Sequence, residues 1–338
     1  MKHKIALLQP YFGKLPNYFN LALKSYEYNS DFDWYILTDD KAKYNYPKNV
    51  HVIYMTFDEL KEKFQKNFDF KISLDKPYKL CDFKPSFGEM FTEILEGYDF
   101  WGNFDPDAIF GDLKCYITDD ILSSNDKLFV KGHLSLYRNN SFVNSLYRQK
   151  IEGCLFYEEV FSNKEIYVFD EKEEDGINAF FIKNNLKIYT DKGYIADIKI
   201  WNYSFVICGA RAGEIEKSKN SCFSYENGKI CRYYSLDGSI HKEEFMYIHL
   251  QKRKMLVNTA DECRYLIYNN SFNDFIEITK DFLMNANKNK YFYKKKDLLK
   301  FRIFTCRIQP YYKIIVKQKD YKRIYKFILR KLRKFTNG

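Results

Sequence analysis

The chain has 338 residues, 46% hydrophobic and 30% charged, which supports one large or two ordinary domains with a real core and excludes disorder over most of its length. Its formal charge of +10 divides unevenly: residues 291–338 hold 16 Lys and Arg against Asp297 and Asp320, a net of +14, leaving −4 on the first 290 residues. A mildly acidic body therefore carries a basic tail.

The elements follow in chain order. Residues 4–8 are a short apolar run ended by Gln9-Pro-Tyr-Phe-Gly13, a buried strand feeding a loop. Pro16 suits a first helical turn, with Phe19, Leu23 and Tyr26 near helical spacing. Residues 34–38 and 51–54 predict two more strands, the first closed by Asp39-Asp40, and 56–64 a helix capped by Thr56 or Asp58. Alternating strands and helices imply a parallel sheet, whose ligands bind beyond the carboxyl ends of its strands. Gln9 to Gly13 and Asp39-Asp40 are thereby expected on one rim. A helical stretch over 79–95, entered through Lys79, Asp82 and Lys84, leads to a strand around Phe100 and Trp101 and then a turn at Asp105-Pro106-Asp107. A strand over 128–132 runs into His133, mixed helical sequence covers 144–163, and Asp175 is placed to cap a helix through Phe181. Short strands and Gly-bearing turns follow over 188–232. Residues 245–250 read as the last clear strand, running into Gln251-Lys-Arg-Lys254.

Several classes of chemistry lose their defining element. There is no GxGxxG after the first strand, and no GxxxxGK[ST], HExxH or GxSxG motif. Eight Cys stand without CxxC or CxxH pairs, and no signal peptide is evident, so reduced thiols in a cytosolic protein are expected. No apolar run approaches transmembrane length. The sharpest positive feature is Asp105-Pro106-Asp107, where two carboxylates across a turn can converge on one hard divalent cation. His249 at the end of a late strand can complete such a site through its neutral imidazole, and Lys252 and Arg253 can neutralise a diphosphate. His133 is a candidate contact to an acceptor hydroxyl or sugar, or a packed structural histidine. Asp170 or Glu171 is a candidate proton acceptor or sugar contact, within what also reads as a solvated acidic loop. Lys84 is a candidate phosphate or sugar contact.

Taken in order, Gln9 to Gly13, Thr38-Asp-Asp40, residues 79–88, residues 98–112, Gly132-His133 and residues 249–253 resemble bacterial GT-A glycosyltransferases of capsule, exopolysaccharide and lipopolysaccharide gene clusters. The resemblance spans about residues 4 to 255. It implies a GT-A (Rossmann-like) α/β fold, a mixed, mostly parallel sheet flanked by helices, with a UDP-sugar donor and Mn²⁺ or Mg²⁺. It implies Asp105, Asp107 and His249 as metal ligands and Lys252, with Arg253, at the diphosphate. It implies Tyr11 and Phe12, beside Gln9 and Pro10, at the base, and Asp39, beside Asp40, at uracil or ribose. A catalytic domain over 1–258, a connecting helical segment over 259–290 and a basic amphipathic tail over 291–338 complete the expected layout.

The expected reaction is metal-dependent sugar transfer to a hydroxyl of a glycan or lipid-linked oligosaccharide. Asp170 or Glu171 serves as base if it inverts, and no base is needed if it retains, toward which the late His-Lys pattern leans. In the tail, Ile324, Phe327, Ile328, Leu332 and Phe335 recur near helical spacing among Lys and Arg. This is expected to lie on an anionic inner membrane leaflet, leaving the enzyme peripheral on the cytoplasmic face. A solvated helix packed on the catalytic domain is the plainer alternative. The competing function is a non-catalytic protein whose tail grips nucleic acid, which predicts salt-dependent polynucleotide binding; the enzyme reading expects none.

Overall fold

The computed structural model describes residues 1–198, 205–208, 221–251, 253–268 and 270–286. Lys252 and the tail over 291–338 lie outside the described residues. The strands in chain order are β1 (Ile5–Tyr11), β2 (Phe32–Thr38), β3 (Val50–Tyr54), β4 (Phe100–Phe104), β5 (Ala108–Phe110), β6 (Lys127–Lys131), β7 (Leu134–Arg138) and β8 (Ile188–Tyr189). They continue with β9 (Ile195–Ile198), β10 (Phe205–Ile207), β11 (Ser221–Glu226), β12 (Lys229–Leu236), β13 (Ser239–Phe245), β14 (Tyr247–His249), β15 (Leu256–Asn258), β16 (Arg264–Tyr268) and β17 (Ser271–Asp274).

A seven-stranded sheet has the order β3-β2-β1-β4-β7-β6-β8. Its strands β3, β2, β1 and β4 run parallel, and β7 enters antiparallel to β4. The sequence explains why it is buried on both faces. Along β1, Ile5 and Leu7 join one apolar cluster with Trp34 and Ile36, while Ala6 and Leu8 join another with Leu37 and Trp101. Helices α1 (Phe19–Tyr28) and α2 (Phe57–Gln65) supply apolar cover, Tyr26 of α1 stacking on Trp34 at 4.3 Å. Thr56 caps α2 in a reciprocal box with Glu59, resolving the choice with Asp58. This is the expected α/β architecture, a mixed and mostly parallel sheet with helices on its faces.

Four local features differ from these expectations. The first strand runs on through Gln9 and Pro10 to Tyr11, because β2 still offers Ile36 to Thr38 as partners. Pro10 is tolerated there because β4 has left β1 after Leu8. The stretch 79–95 is a chain of short helical turns, with Pro85 opening one and Gly88 inside another, rather than a single helix. Gly176, not Asp175, caps the helix Ile177–Lys183.

The fourth difference lies after residue 245, where one strand was expected to be the last. That strand is split into the end of β13 and β14, and β15, β16 and β17 follow it. β16 and β17, with the helix Lys280–Ala286 after them, occupy the segment expected to be a helical connection. They pair into a six-stranded sheet, β13-β12-β11-β16-β17-β15, and their apolar residues Tyr265, Ile267 and Phe272 join the cluster that covers β1. The remaining sheet, β10-β9-β14-β5, is short and carries the site. No helix among the described residues is long and apolar enough to cross a membrane.

Candidate metal and active site

Asp105-Pro106-Asp107 leaves the carboxyl end of β4 as a turn, closed by the Ala108 N–H donating to Asp105 O at 3.2 Å. Two backbone ladders then assemble the cluster. The Asp105 N–H donates to His133 O at 3.1 Å, continuing the β4–β7 pairing. β14 runs antiparallel to β5 with His249 opposite Ala108, and the Leu250 N–H donates to Asp107 O at 2.9 Å. Ligand atoms of Asp105, Asp107 and His249 thus lie within 4.8 Å of one another. His249 Nε2 is 3.6 Å from Asp107 Oδ1 and 3.8 Å from Asp105 Oδ2.

A residue the sequence did not single out orients this histidine. β9 runs parallel to β14 with Asp197 beside His249, and Nδ1 of the imidazole donates to Asp197 Oδ1 at 3.1 Å. Gln251 Nε2 donates to the other Asp197 oxygen at 2.7 Å. The Nδ1 proton is therefore committed to Asp197, which aims Nε2 at the two aspartates in the manner of metal-binding imidazoles. Burial of His249 disfavours its charge, but Asp107 and Asp197 outweigh that and push its pKa up to about 10. Without a cation the imidazolium proton takes the place of positive charge between the carboxylates. Two carboxylate oxygens and one imidazole nitrogen are a donor set that fits Mn²⁺, and with its oxygens Mg²⁺.

Beside the cluster lies a second charged network. Lys84 Nζ donates to Asp105 Oδ1 at 2.9 Å and to Gly132 O at 2.7 Å, and stands 3.6 Å from Asp170 Oδ2. Burial alone would lower the Lys84 pKa, but Asp105 and Asp170 hold it above the usual lysine range. Asp170 is itself buried, and desolvation pushes its pKa up to about 7 despite Lys84, with Glu171 adding to the rise. Glu171 accepts from the Gly132 N–H at 3.0 Å. Gly132 is required by space: a Cβ there would sit 2.3 Å from Asp170 Oδ2. Lys84 is thus a buried strut between the metal cluster and the Asp170 turn.

The other expected residues divide. Tyr11 ends β1 half-buried, its hydroxyl donates to Lys14 O at 3.3 Å, and burial followed by Asp107, Asp105 and Asp40 raises its pKa. Phe12 is turned into the core against Phe57, with ring centroids 5.3 Å apart. Asp39 accepts from the Gly13 N–H at 2.7 Å, and Asp40 accepts from Leu15 N–H, Ala42 N–H and the Tyr44 hydroxyl. Both aspartates tie the loop after β1 to the loop after β2. Gln9 and Pro10 belong to β1, and the buried Gln9 amide donates to Pro10 O at 3.1 Å. His133 is buried, its ring 4.4 Å from that of His249 and its Nδ1 2.6 Å from Tyr247 Oη. Burial, then His249, lowers its pKa well below the usual value, so it packs as a neutral ring behind His249. Arg253 follows a turn at Gln251, whose φ is 49°, and its N–H donates to Leu250 O at 3.1 Å.

Fold and site together define an α/β protein with an Asp-Asp-His cluster just beyond the carboxyl end of a central strand. The chain belongs to a family of unknown function, DUF6625, whose model matches residues 7–276. No curated protein matches it. Among solved structures it is similar to the galactosyltransferase LgtC in complex with donor and acceptor sugar analogs, at 11% identity and a TM-score of 0.30, over 57% of this chain and 75% of that one. It is also similar to the glycosyltransferase GlyE of Streptococcus pneumoniae TIGR4, at 12% identity and a TM-score of 0.28, over 57% of this chain and 45% of that one. Both likenesses are slight.

Proposed function

We propose that the chain is a metal-dependent glycosyltransferase that moves a sugar from a UDP-sugar to a hydroxyl of a surface-polysaccharide acceptor. The observation that carries this reading is the Asp105, Asp107 and His249 cluster beyond β4, strutted by the buried Lys84. Mn²⁺ or Mg²⁺ held by these three side chains supplies, when bound, positive charge for the departing diphosphate. The chain's own groups do the rest. Asp197 keeps the Nε2 of His249 aimed at the cluster, Lys84 holds Asp105 in place, and Lys252 with Arg253 neutralises the leaving UDP. Tyr11 borders the donor, and Asp39 and Asp40 fix the loop that shapes its edge.

The anomeric bond to the diphosphate breaks as the acceptor oxygen bonds the anomeric carbon. In an inverting transfer the hydroxyl proton passes to Asp170 or Glu171, and a carboxyl titrating near neutrality suits that role. In a retaining transfer it passes to the departing diphosphate. The anomeric configuration of the product, read by NMR, decides between them.

The test is a thermal-shift and turnover panel of UDP-sugars on the full chain with and without Mn²⁺. A rise in melting temperature that needs both UDP and the cation, with release of UDP from one donor, is expected. No shift with any combination would sink the reading. The basic tail is proposed to hold the enzyme at an anionic membrane surface near lipid-linked acceptors. Loss of flotation with anionic liposomes on truncation at Lys290 is expected, and equal partitioning of both forms overturns that part.

A further inference from the structure

Asp170 and Glu171 stand on a turn that begins with an unfavourable residue. Val168 has a φ of 58°, in the left-handed region that a β-branched side chain strongly resists. Its carbonyl accepts from the Glu171 N–H at 3.3 Å and the Lys172 N–H at 3.1 Å, so this conformation sets the direction in which both carboxylates leave the chain. Strain of this kind persists only where the surroundings over-determine it.

The restraint comes from Asp82, fully buried on the helical turns over 77–86. Its carboxylate accepts from the N–H groups on both sides of Val168: Tyr167 N at 3.0 and 3.2 Å, and Phe169 N at 2.9 Å. The charge of Asp82 is matched by the buried Lys79, whose Nζ donates to Asp82 Oδ2 at 2.7 Å, to Val160 O at 2.9 Å and to Glu165 O at 2.5 Å. Lys79 thereby ties the helix Tyr157–Ser162 and the start of the loop to the same segment. Two residues beyond Asp82 in that segment is Lys84, which meets Asp105, Gly132 O and Asp170. One short stretch of chain thus grips both the backbone that launches Asp170 and the cation that receives it.

We infer that Asp82, supported by Lys79, is a positioning residue for the transfer reaction: it holds Val168 in its left-handed conformation and so aims Asp170 and Glu171 at Gly132 and Lys84. Asp82 touches neither donor nor acceptor. It acts through two amide protons, so its effect falls on the reactive turn and spares the metal cluster, which the β4, β5 and β14 backbone builds separately.

The catalytic half of this inference rests on the glycosyltransferase reading, and the experiment separates the two. Asp82→Asn keeps the shape but removes the charge and one acceptor oxygen. In the full chain it is expected to lower kcat by about tenfold or more while leaving the KM for the donor and the Mn²⁺-dependent UDP thermal shift within about twofold of the unaltered chain. Hydrogen exchange is expected to quicken in peptides spanning 165–172 and to stay unchanged in those spanning 100–110 and 245–251. Because glycine adopts positive φ without a steric penalty, Val168→Gly in the Asp82→Asn background is expected to restore most of the lost kcat and protection. A role in general stability would instead quicken exchange across the whole chain, including 100–110 and 245–251, rather than at 165–172 alone. Unchanged exchange at 165–172 in Asp82→Asn overturns the restraint, and quickened exchange with unchanged kcat overturns the positioning role. Equal loss of UDP binding and kcat, with no rescue by Val168→Gly, overturns it as well. If the unaltered chain turns over no nucleotide sugar, the transfer reading and the catalytic half fall together, and exchange alone decides whether Asp82 holds the turn.

Discussion

The two acidic groups of the site are placed by different means. Asp105, Asp107 and His249 follow or end strands, their backbones have no positive φ, and ladder or turn hydrogen bonds fix each one. Asp170 and Glu171 stand on a turn two and three residues after a left-handed valine, and they are aimed by a few buried charged groups. Sheet pairing spreads positional control over many weak bonds, so losing one side chain leaves the frame intact. A turn held by a handful of ionic contacts concentrates control, and single substitutions at those contacts then reach both carboxylates.

The largest expected effect tests the strand-borne side alone. Asp107→Ala should reduce metal-dependent turnover by about three orders of magnitude, about 4 kcal/mol, and abolish stabilisation by Mn²⁺ in thermal melts. Full activity without added metal would break the assignment. Next is the strut that joins the two sides. Lys84→Met strands Asp105 and Asp170 without their shared cation and should cost about 3–5 kcal/mol in urea unfolding. A loss under 1 kcal/mol would mean that the carboxylates do not depend on it. Gly132→Ala probes the turn-borne side: the Cβ collides with Asp170 Oδ2, and a destabilisation of about 1–3 kcal/mol is expected with Mn²⁺ binding retained.

Proton linkage sharpens the comparison more gently. A cation must displace the His249 proton, so apparent Mn²⁺ affinity should rise about tenfold per pH unit below about 10, measured by calorimetry in several buffers. A flat profile from pH 6 to 9 would contradict it. In the metal-free chain the folded-state pKa of His249 lies above the ordinary value of 6.5. The stability it contributes is therefore full below about 6.5 and lost as pH rises through about 10. The smallest effect belongs at the opposite end of the sheet, where Tyr98 Oη donates to Asp33 at 2.9 Å. Tyr98→Phe should cost about 1 kcal/mol and leave turnover unchanged.

Much of the frame was legible in the residues themselves. The apolar runs of β1 to β4, the capped α2 and the Asp-Pro-Asp turn follow from local pattern, because strand and turn chemistry is written within a few residues. The sequence also held Asp105, Asp107 and His249 as candidates, since carboxylates and imidazole are few and their positions after strands are readable. Asp197 was not legible. It lies in the apolar Ile-Ala-Asp-Ile of β9, and only the parallel pairing with β14 sets it beside His249. Phe12 and His133 looked like rim residues, yet one packs on Phe57 and the other behind His249. A residue at a strand end can turn either way, and the neighbouring core decides.

By itself the sequence determined the parallel α/β frame and singled out Asp105, Asp107 and His249 as candidate metal ligands, because periodicity and side-chain chemistry are local properties. It also separated an acidic body from a basic tail. Tertiary structure alone decided that Lys84 is a buried strut, that Asp197 orients His249 and that Asp82 restrains Val168. Each depends on segments that are distant in the chain meeting where water is excluded, and low dielectric surroundings make those charges strong enough to set geometry.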